Sequence, residues 1–411
     1  VLFERGSDSG ERIKGINQYW RYGKLDPRNN VCFGEGGAGL YSDGKLITRI
    51  KSPHIPYVMN RLVQFGAPEE IQWLSNPHVG SDRIRRVIPK LREFLRANGC
   101  EIHFNTQVTE VLLEGKQVVG VRTEHGTEFR SPHVVMATGH SAEDMINHLR
   151  DIGVKLDGKS FAMGLRVEHS QAAINKIQYR QYSEHPKLGA ANYKLAHHDN
   201  KSGIGVYSFC MCPGGIIAPC ATSDGEVVTN GWSPSKRNNP YANSGIVVSI
   251  DPSDFPDFRT NPLVCLEFQK MIEEKSWVAA GKNQKVPAQT LKDFIDRKKS
   301  SVFPESSYYI GLTSVEMDDI FPAFVVDRLR KGFKEFDNTM PGFISQKAIV
   351  HAPESRTSSP VLIPRNHETM EHVDITGLYP CAEGAGYAGG IVSAAIDGAK
   401  CVQAIHNKIS K

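Results

Sequence analysis

Several features that would assign this 411-residue chain to a particular class of protein are missing from it. No run of about 18 apolar residues occurs, so the sequence predicts no membrane-spanning helix, and no charged-then-apolar leader opens the chain. Basic and acidic residues nearly balance, 49 against 45, and a net charge of +4 is too small for a nucleic-acid-binding footprint. The sequence therefore argues against membrane and nucleic-acid partners and favours a small-molecule substrate.

The eight cysteines form no CxxC pair and no Cys/His zinc spacing. A metal site built from Cys210, Cys212 and Cys220 is disfavoured, because no histidine or fourth cysteine lies at ligand spacing. We therefore expect no metal, and we expect reduced thiols in a cytoplasmic protein.

The order of the patterns predicts an α/β fold in which one nucleotide-binding domain is split by an inserted mixed α+β domain. The apolar spacing after Ser81 and Asp82, either of which can cap, predicts a helix over residues 82–97. Short strand-like runs follow from residue 101 to residue 136, with turns at Gly115 and Gly126. Further strands are predicted at residues 161–167 and 246–250, and helices near residues 262–280, 317–332 and 391–405. We expect domain boundaries that give a first part at residues 1–160, an insertion at 161–350 and a last part at 351–411.

Four segments carry the chemistry, and the first two lie near the start of the chain. Glu4 ends an apolar run, where an acidic side chain can accept hydrogen bonds from a ribose hydroxyl. Five glycines between Gly34 and Gly44 allow positive φ angles and close approach of the backbone to a ligand. Successive free N–H groups in such a loop can hold a phosphate or a flavin carbonyl, although a surface turn is the alternative.

The other two segments are strand ends. Val134–Gly139 is an apolar strand that ends in Ala137-Thr138-Gly139, and its glycine would let the chain pass a dinucleotide. Near the C-terminus, Glu383 ends a second strand, and the glycine-rich string Gly384–Gly390 opens a helix. The start of that helix presents unpaired N–H groups and a positive dipole end to an anion or an electron-rich carbonyl.

With these features in chain order, the sequence resembles the glutathione-reductase-like FAD superfamily. More narrowly, it is similar to a group of bacterial FAD-dependent dehydrogenases of undetermined substrate. The matching stretches run through nearly the whole chain: Gly34–Arg49, Gly164–His169, Tyr207–Gly215, Asn238–Gly245, Pro287–Phe294, Glu354–Pro360 and Ala382–Gly398.

The resemblance implies FAD as the cofactor and a Rossmann-type FAD-binding domain. It implies roles for residues that would hold the ribose, the pyrophosphate, the adenine, the ribitol and the flavin ring: Glu4, Arg5, Gly36, Gly37, Ser42, Asp43, Gly44, Lys45, Val108, Ala137, Thr138, Gly139, Glu383, Gly384, Gly389, Gly390 and Ile391.

The chain departs from the family pattern at its start. The strand–GxGxxG–helix unit that this fold places roughly 25–30 residues before Glu4 is absent from the sequence. Val1-Leu2-Phe3 resembles the end of a buried strand, so we expect the N-terminal βαβ unit to be truncated here. We also expect weaker FAD binding without that unit, because its helix would carry the pyrophosphate.

The sequence does not determine which residues are catalytic. Tyr207–Gly215 resembles a strand and turn that approach the flavin from the inserted domain, which makes Tyr207 a candidate. Cys212 could be a redox thiol or a small packing residue. Arg356 could bind an anionic group or pair with Glu354.

The leading hypothesis is an FAD-dependent oxidoreductase, in which the substrate enters between the inserted domain and the flavin domain. NAD(P)H is a candidate reductant, but no second GxGxxG motif marks a nicotinamide domain. The alternative is a non-catalytic binding or scaffold module on a flavoprotein fold, since fold does not determine function. The substrate, the electron acceptor and the oligomeric state are not predicted.

Overall fold

The computed structural model describes residues 1–199 and 204–410. The helices of this part of the chain are α1 Ser9–Tyr22, α2 Ile55–Gln64, α3 Ser81–Ala97, α4 Glu143–Asp151, α5 Gln171–Tyr179, α6 Val264–Ala279, α7 Leu291–Asp296, α8 Ala323–Thr339 and α9 Ile391–Ile409. The strands are β1 Leu2–Phe3, β2 Ile102–His103, β3 Val108–Glu114, β4 Gln117–Thr123, β5 Glu128–Arg130, β6 Val134–Met136, β7 Asp157–Gly158, β8 Phe161–Ser170, β9 Ala196–Asp199, β10 Ile204–Cys212, β11 Ile216–Pro219, β12 Thr229–Trp232, β13 Tyr241–Ile250, β14 Val286–Thr290, β15 Leu312–Ser314, β16 Ile349–Glu354, β17 Val361–Leu362 and β18 Leu378–Pro380.

The largest element is a mixed seven-stranded sheet in the order β15-β14-β16-β8-β13-β10-β9. Its centre is long and apolar, and β8 and β13 pair antiparallel over ten residues each. Among the described residues of this sheet, β14 and β15 are the one adjacent pair of strands that run parallel to each other. The predicted strands at 161–167 and 246–250 are therefore confirmed, and they are neighbours in this sheet.

Helices α5 to α8 cover the apolar side of the sheet and form one hydrophobic core with it. Helix α8 sits close to β10 because Gly332 has no side chain. A Cβ atom on Gly332 would lie 2.5 Å from a methyl carbon of Val206. A larger residue at this position would push the helix off the sheet.

The rest of the chain supplies short parallel strands and an antiparallel meander. Strand β1 pairs with β2, and β18 pairs with β6, in both cases in parallel. Strands β3, β4 and β5 form the meander that the sequence predicts, with positive φ angles at Gly115 and Gly126. The fold is α/β with a large mixed sheet.

Helix α3 begins where the periodicity predicts, but the predicted cap is wrong. Gly80 occupies the N-cap position, and no side chain caps the helix. The carboxylate of Asp82 instead accepts hydrogen bonds from the backbone N–H and the hydroxyl of Ser235, at 2.9 and 2.8 Å. The Asp82 carboxylate, which the local pattern predicts as a helix cap, is used in a tertiary contact with Ser235 instead.

Among the described residues, no helix is both long and apolar enough to cross a membrane.

Candidate functional site

The ends of two parallel strands, β6 and β18, lie together, and the residue pair that follows β1 contacts the helix that follows β6. Gly139, after β6, lies against Gly384, after β18: a Cβ atom on Gly384 would come within 2.7 Å of the Gly139 carbonyl oxygen. Arg5, after β1, donates two 2.8 Å hydrogen bonds to Asp144, which lies in the first turn of α4. Ligands of open α/β sheets bind at the carboxyl ends of the strands, so this edge is the candidate site.

Glu4 holds the glycine-rich segment to this edge. Its Oε1 accepts hydrogen bonds from the backbone N–H groups of Gly6 and Gly34, each at 2.9 Å. Its Oε2 forms no hydrogen bond within the described parts of the chain. The Glu4 carboxylate therefore keeps one oxygen for a ligand hydroxyl.

Arg12 was not predicted from the sequence, and it is the buried support of the glycine-rich segment. Its guanidinium is fully buried and donates to backbone carbonyls on both sides of the loop, among them Asn30 at 2.8 Å and Glu35 at 2.7 Å. Burial lowers the pKa of Arg12 from its ordinary value. No local motif marks this residue, because it lies on α1 and its partners follow 18 to 23 residues later.

The glycine-rich segment also reaches the start of α9. Gly36 and Gly37 have positive φ angles of 82° and 54° and lead into a short 3-10 helix, Gly37–Tyr41. A Cβ atom on Gly39 would touch Ile391 at 3.5 Å. The structure thus brings the two predicted cofactor segments into contact, although nearly 350 residues separate them.

Glu383 lies beside the glycines that precede α9. Its Oε1 accepts a hydrogen bond from the Ser359 backbone N–H at 3.0 Å. A Cβ atom on Gly389 would come within 2.4 Å of its Oε2, so a larger residue there would displace the Glu383 carboxylate. Gly389 and Gly390 are exposed, and the first N–H groups of the helix that follows have no intrahelical partner.

The remaining predicted cofactor residues lie at or near this edge. Ala137, Thr138 and Gly139 are exposed. Val108 begins β3 and pairs with Thr123. It lies two residues after Thr106, whose backbone N–H donates to the Glu4 carbonyl at 3.0 Å.

The end of the glycine-rich segment instead turns toward the seven-stranded sheet. Ser42 stabilises the turn itself, with its hydroxyl donating to Gly39 and accepting from the Gly44 N–H. Lys45 Nζ donates to the carbonyl of Met211 on β10 at 2.6 Å. Asp43 lies beside it, with 3.2 Å between Lys45 Nζ and Asp43 Oδ2.

Asp43, Lys45, His78 and Arg237, which we call the Lys45 cluster, meet at this junction. Arg237 Nη2 lies 3.5 Å from Asp43 Oδ2, and Lys45 pairs with His78 through a backbone bridge. Both carboxylate oxygens of Asp43 and the His78 Nε2 are buried without a hydrogen bond among the described residues. Burial, aided by the positive charge of Arg237, lowers the pKa of His78. Since Asp43 is ion-paired with both Lys45 and Arg237, the cluster carries a formal net charge of +1, and its His78 Nε2 is a polar atom without a partner among the described residues.

Arg356 does not pair with Glu354, which was one of its two predicted roles. Its guanidinium is buried between Glu273, at 2.7 and 3.0 Å, and Glu226, at 2.9 Å. It also donates to the hydroxyls of Ser141 and Thr222. All five N–H donors are thereby used, and none is left to bind a substrate anion.

Glu354 instead pairs with Arg166, which is fully buried. Arg166 donates to both oxygens of Glu354, at 2.7 and 2.8 Å, and to Asn243 at 2.7 Å. This buried ion pair ties β8, β13 and β16 together.

Cys212 and Tyr207 lie on β10. Cys212 is buried, its Sγ donates to the Cys210 carbonyl at 3.2 Å, and burial raises the pKa of its thiol to about 11. These surroundings favour the packing alternative over a reactive thiolate. Tyr207 is half-buried, and its hydroxyl lies 3.0 Å from His198 Nε2.

Two groups of side chains in the described residues could bring three metal-ligand atoms together: Cys381, Asp397 and Cys401, and Glu143, Glu226 and Glu273. An arginine already pairs with carboxylates of each group. Arg365 pairs with Asp397 at 2.6 Å, and Arg356 pairs with Glu226 and Glu273.

Comparison with known proteins places the chain among flavoproteins. Residues 160–357 match a family described as FAD-dependent protein, C-terminal domain-like, and residues 69–193 match the family FAD dependent oxidoreductase. An uncharacterized protein of Clostridium beijerinckii is 39% identical over 410 residues, covering 99% of this chain and 76% of its own length. This chain belongs to the FAD-dependent oxidoreductase family. FAD is the cofactor of that family.

Solved flavoenzymes are similar only at the level of a weak fold match. Glycine oxidase from Bacillus cereus is 12% identical with a TM-score of 0.30, and the match covers 81% of this chain and 58% of that one. An open flavocytochrome c3 fumarate reductase is 12% identical with a TM-score of 0.34, covering 86% and 63%. The chain thus spans less than two thirds of either flavoenzyme, and scores this low say nothing about the arrangement of the site in this FAD-dependent protein.

Proposed function

We propose that this protein oxidises or reduces a small molecule with FAD held along the edge where β1, β6 and β18 end. The observation that carries the proposal is a series of contacts between segments far apart in sequence: Glu4 with Gly34, Gly39 with Ile391, and Gly139 with Gly384. We further propose a glutathione-reductase-like arrangement, in which residues 1–160 and 351–411 bind the cofactor and residues 161–350 are the insertion.

The residues at the edge fit FAD chemically. Glu4 and Glu383 each keep one carboxylate oxygen for a hydroxyl group, the donor that ribose and ribitol supply. The exposed glycines before α9 and the free N–H groups of its first turn suit a flavin carbonyl or a phosphate. Bound FAD supplies the acceptor for a hydride or for electrons, while the chain supplies position and electrostatics.

The substrate would lie between the glycine-rich segment and the seven-stranded sheet, at the Lys45 cluster. The net positive charge of the cluster suits an anionic group, and the neutral His78 ring suits the acceptance of a proton or a hydrogen bond. Lys45, held by the Met211 carbonyl, would orient the substrate rather than react with it. Ligand clefts commonly form at such junctions between domains.

The cofactor assignment is tested by an equilibrium titration of the protein with FAD, followed by flavin absorbance and fluorescence. Glu383→Gln keeps the acceptor for Ser359 N–H but removes the charge, so we expect FAD affinity to fall by about 10-fold or more, the value of a hydrogen bond to a charged group. Glu368→Gln is the matched control, because the Glu368 side chain is exposed. Equal affinity in the two variants would contradict the role of Glu383.

The catalytic assignment is tested separately, with the FAD-loaded protein under anaerobic conditions. Bleaching of the flavin bands by NADH or NADPH would identify the nicotinamide as reductant. A bound flavin that no nicotinamide or small-molecule donor reduces, while dithionite does, would favour the binding or scaffold role instead.

A further inference from the structure

Cys32 and Cys220 lie against each other although 188 residues separate them. Their Sγ atoms are 3.9 Å apart. Cys32 lies just before the glycine-rich segment, and Cys220 directly follows β11. A disulfide bond between them would need the two sulfur atoms to approach to about 2.05 Å, a movement of the side chains over some 2 Å.

Hydrogen bonds hold the backbone at both cysteines. The Asn30 side chain accepts from the Cys32 N–H at 2.9 Å, and Arg12 fixes the carbonyls of the residues before it. The Cys220 N–H donates to Val228 at 2.8 Å, and the Tyr19 hydroxyl accepts from the N–H of Ala221 at 3.1 Å. The fold therefore holds the two thiols close together.

The two thiols differ in access and in surroundings. Cys220 is buried, whereas Cys32 is half-buried. The hydrogen bond with Cys220 holds the pKa of Cys32 well below its ordinary value against the opposing effect of burial, and electrostatic interactions with His140 and Arg356 and a hydrogen bond with Ser141 lower it further. The pKa of Cys220 is raised, first because of the same hydrogen bond and then because of burial. A partly exposed cysteine that ionises readily beside a buried one suits an attacking and a resolving cysteine.

A second pair, Cys381 and Cys401, provides an internal comparison. Both are buried, and Arg365 Nη1 lies 4.0 Å from the Cys401 sulfur while bound to Asp397. Burial of both sulfurs denies an external disulfide access to either one. Of these two pairs, only Cys32–Cys220 includes a cysteine that is not fully buried.

We propose that Cys32 and Cys220 are a redox-active dithiol that exchanges two electrons with a low-molecular-weight disulfide. The Cys32 thiolate attacks one sulfur of the disulfide, whose S–S bond breaks and releases one thiolate. The Cys220 sulfur then attacks the Cys32 sulfur, forming the Cys32–Cys220 bond and releasing the second thiolate. The two cysteine protons end on the two released thiols. The cysteine pair thereby loses two electrons, and the external disulfide gains them.

The dithiol adjoins the edge proposed for the cofactor but does not depend on it. His140 follows Gly139 directly, its Nδ1 lies 2.7 Å from the Ser141 hydroxyl, and Cys32 lies two residues before Gly34. This activity goes beyond the proposed flavin chemistry. The absorbance of bound flavin in the same sample reports the cofactor separately, so the two proposals can fail independently.

The test is equilibration of the purified protein with mixtures of reduced and oxidised glutathione, followed by acid quenching, alkylation and peptide mass spectrometry. We expect a cross-linked peptide that contains Cys32 and Cys220. Its fraction should rise from a tenth to nine tenths over about a 100-fold decrease in the ratio [GSH]²/[GSSG], as for any two-electron exchange. Cys381 and Cys401 should stay reduced throughout.

Variants assign the roles of the two sulfurs. In Cys220→Ser we expect Cys32 to stop at a glutathione mixed disulfide, and in Cys32→Ser we expect Cys220 to remain a thiol. Cys381→Ser is the control and should leave the cross-link unchanged. Should a serine variant fail to fold, as judged by circular dichroism, the cross-link in the unmodified protein decides the matter.

Three results would overturn the proposal. Cys32 and Cys220 could both remain thiols in the most oxidising mixture, while the exposed Cys210 is glutathionylated. The unmodified protein could accumulate a stable mixed disulfide at Cys32 without the internal bond. Cys220 could also react with glutathione when Cys32 is serine.

Discussion

At the scale of single residues, buried arginines with complete sets of partners hold the site and the sheet in place. Arg12 supports the glycine-rich segment, Arg166 joins three strands, and Arg356 joins Glu226 to Glu273. Two of these, Arg166 and Arg356, lie in stretches that carry the family resemblance, as does Glu354. Their charges are paired with buried partners inside the protein. We therefore interpret the resemblance at these positions as a sign of shared architecture rather than of catalysis.

Breaking the Arg166–Glu354 pair should destabilise the protein strongly. Glu354→Gln leaves a fully buried guanidinium without its counter-charge, which costs about 3–5 kcal/mol. Asp151→Asn is the matched control, because it removes an exposed ion pair, with Arg150, that is worth about 0–1 kcal/mol. Urea unfolding measures both, and similar losses in the two variants would refute the structural role of the buried pair.

His351 should make the fold less stable at acid pH. Burial lowers its pKa to about 4, while its Nδ1 donates to the Arg166 carbonyl and its Nε2 accepts from Ser306. Because the unfolded chain binds a proton near pH 6.5 and the folded one does not, stability from this group is present above pH 6.5 and is lost toward pH 4. Glu168 lies 3.9 Å away and titrates in the opposite sense, so the variant must be compared with the unmodified protein.

Between pH 7 and pH 5, the free energy of unfolding should fall by roughly 2 kcal/mol more in the unmodified protein than in His351→Gln. His125→Gln, at an exposed position, should follow the unmodified protein. Parallel pH profiles for all three proteins, measured by denaturant unfolding at each pH, would show that His351 does not contribute.

Residues of the candidate site can be predicted from the sequence only where the pattern that marks them spans a few neighbouring residues. Glu4 and Glu383 end apolar runs beside glycines, so their pattern is visible in a few residues. The partners of Arg356 lie 83 and 130 residues away, and such pairings leave no trace in the spacing. The contact of Cys32 with Cys220 was missed for the same reason.

At the scale of elements, close backbone contacts bring the end of β6, the end of β18 and the start of α9 together. Most strands and longer helices follow from apolar periodicity, which is why the elements from β2 to β6 and α9 were predicted. Helix α1 was missed: its capping by Asp8 and its end at Gly23 are ordinary signals, but it buries only Arg12, Ile16 and Tyr19. An arginine inside the buried face hides the amphipathic pattern.

Gly384→Ala should destabilise the protein, since its Cβ atom would meet the backbone of Gly139 at 2.7 Å. We expect a loss of about 1–3 kcal/mol, the usual cost of overpacking. Gly398→Ala, in the middle of α9 with nothing within 4 Å of the added atom, should instead stabilise the protein by about 0.5–1 kcal/mol. Thermal unfolding of the two variants should therefore shift in opposite directions, and a stabilising Gly384→Ala would contradict the contact.

At the scale of the whole molecule, the segment between β10 and β13 meets α1 and the glycine-rich segment at a junction that contains both proposed reactive groups. Trp20 stacks on Trp232 with ring centres 5.5 Å apart, and its indole N–H donates to Pro219. The Lys45 cluster lies at this junction, as does the Cys32–Cys220 pair. Neither group could be predicted from sequence, because each combines residues from both sides of the junction.

The central claim is that FAD binds along the edge formed by the ends of β1, β6 and β18. Hydrogen–deuterium exchange of the protein, with and without saturating FAD, tests it most directly. We predict slower exchange with FAD in residues 4–6, 34–41, 137–141 and 383–394, and unchanged exchange in β8 and β13 at the centre of the seven-stranded sheet. Protection confined to other segments, or no protection at any FAD concentration, would contradict FAD binding at this edge.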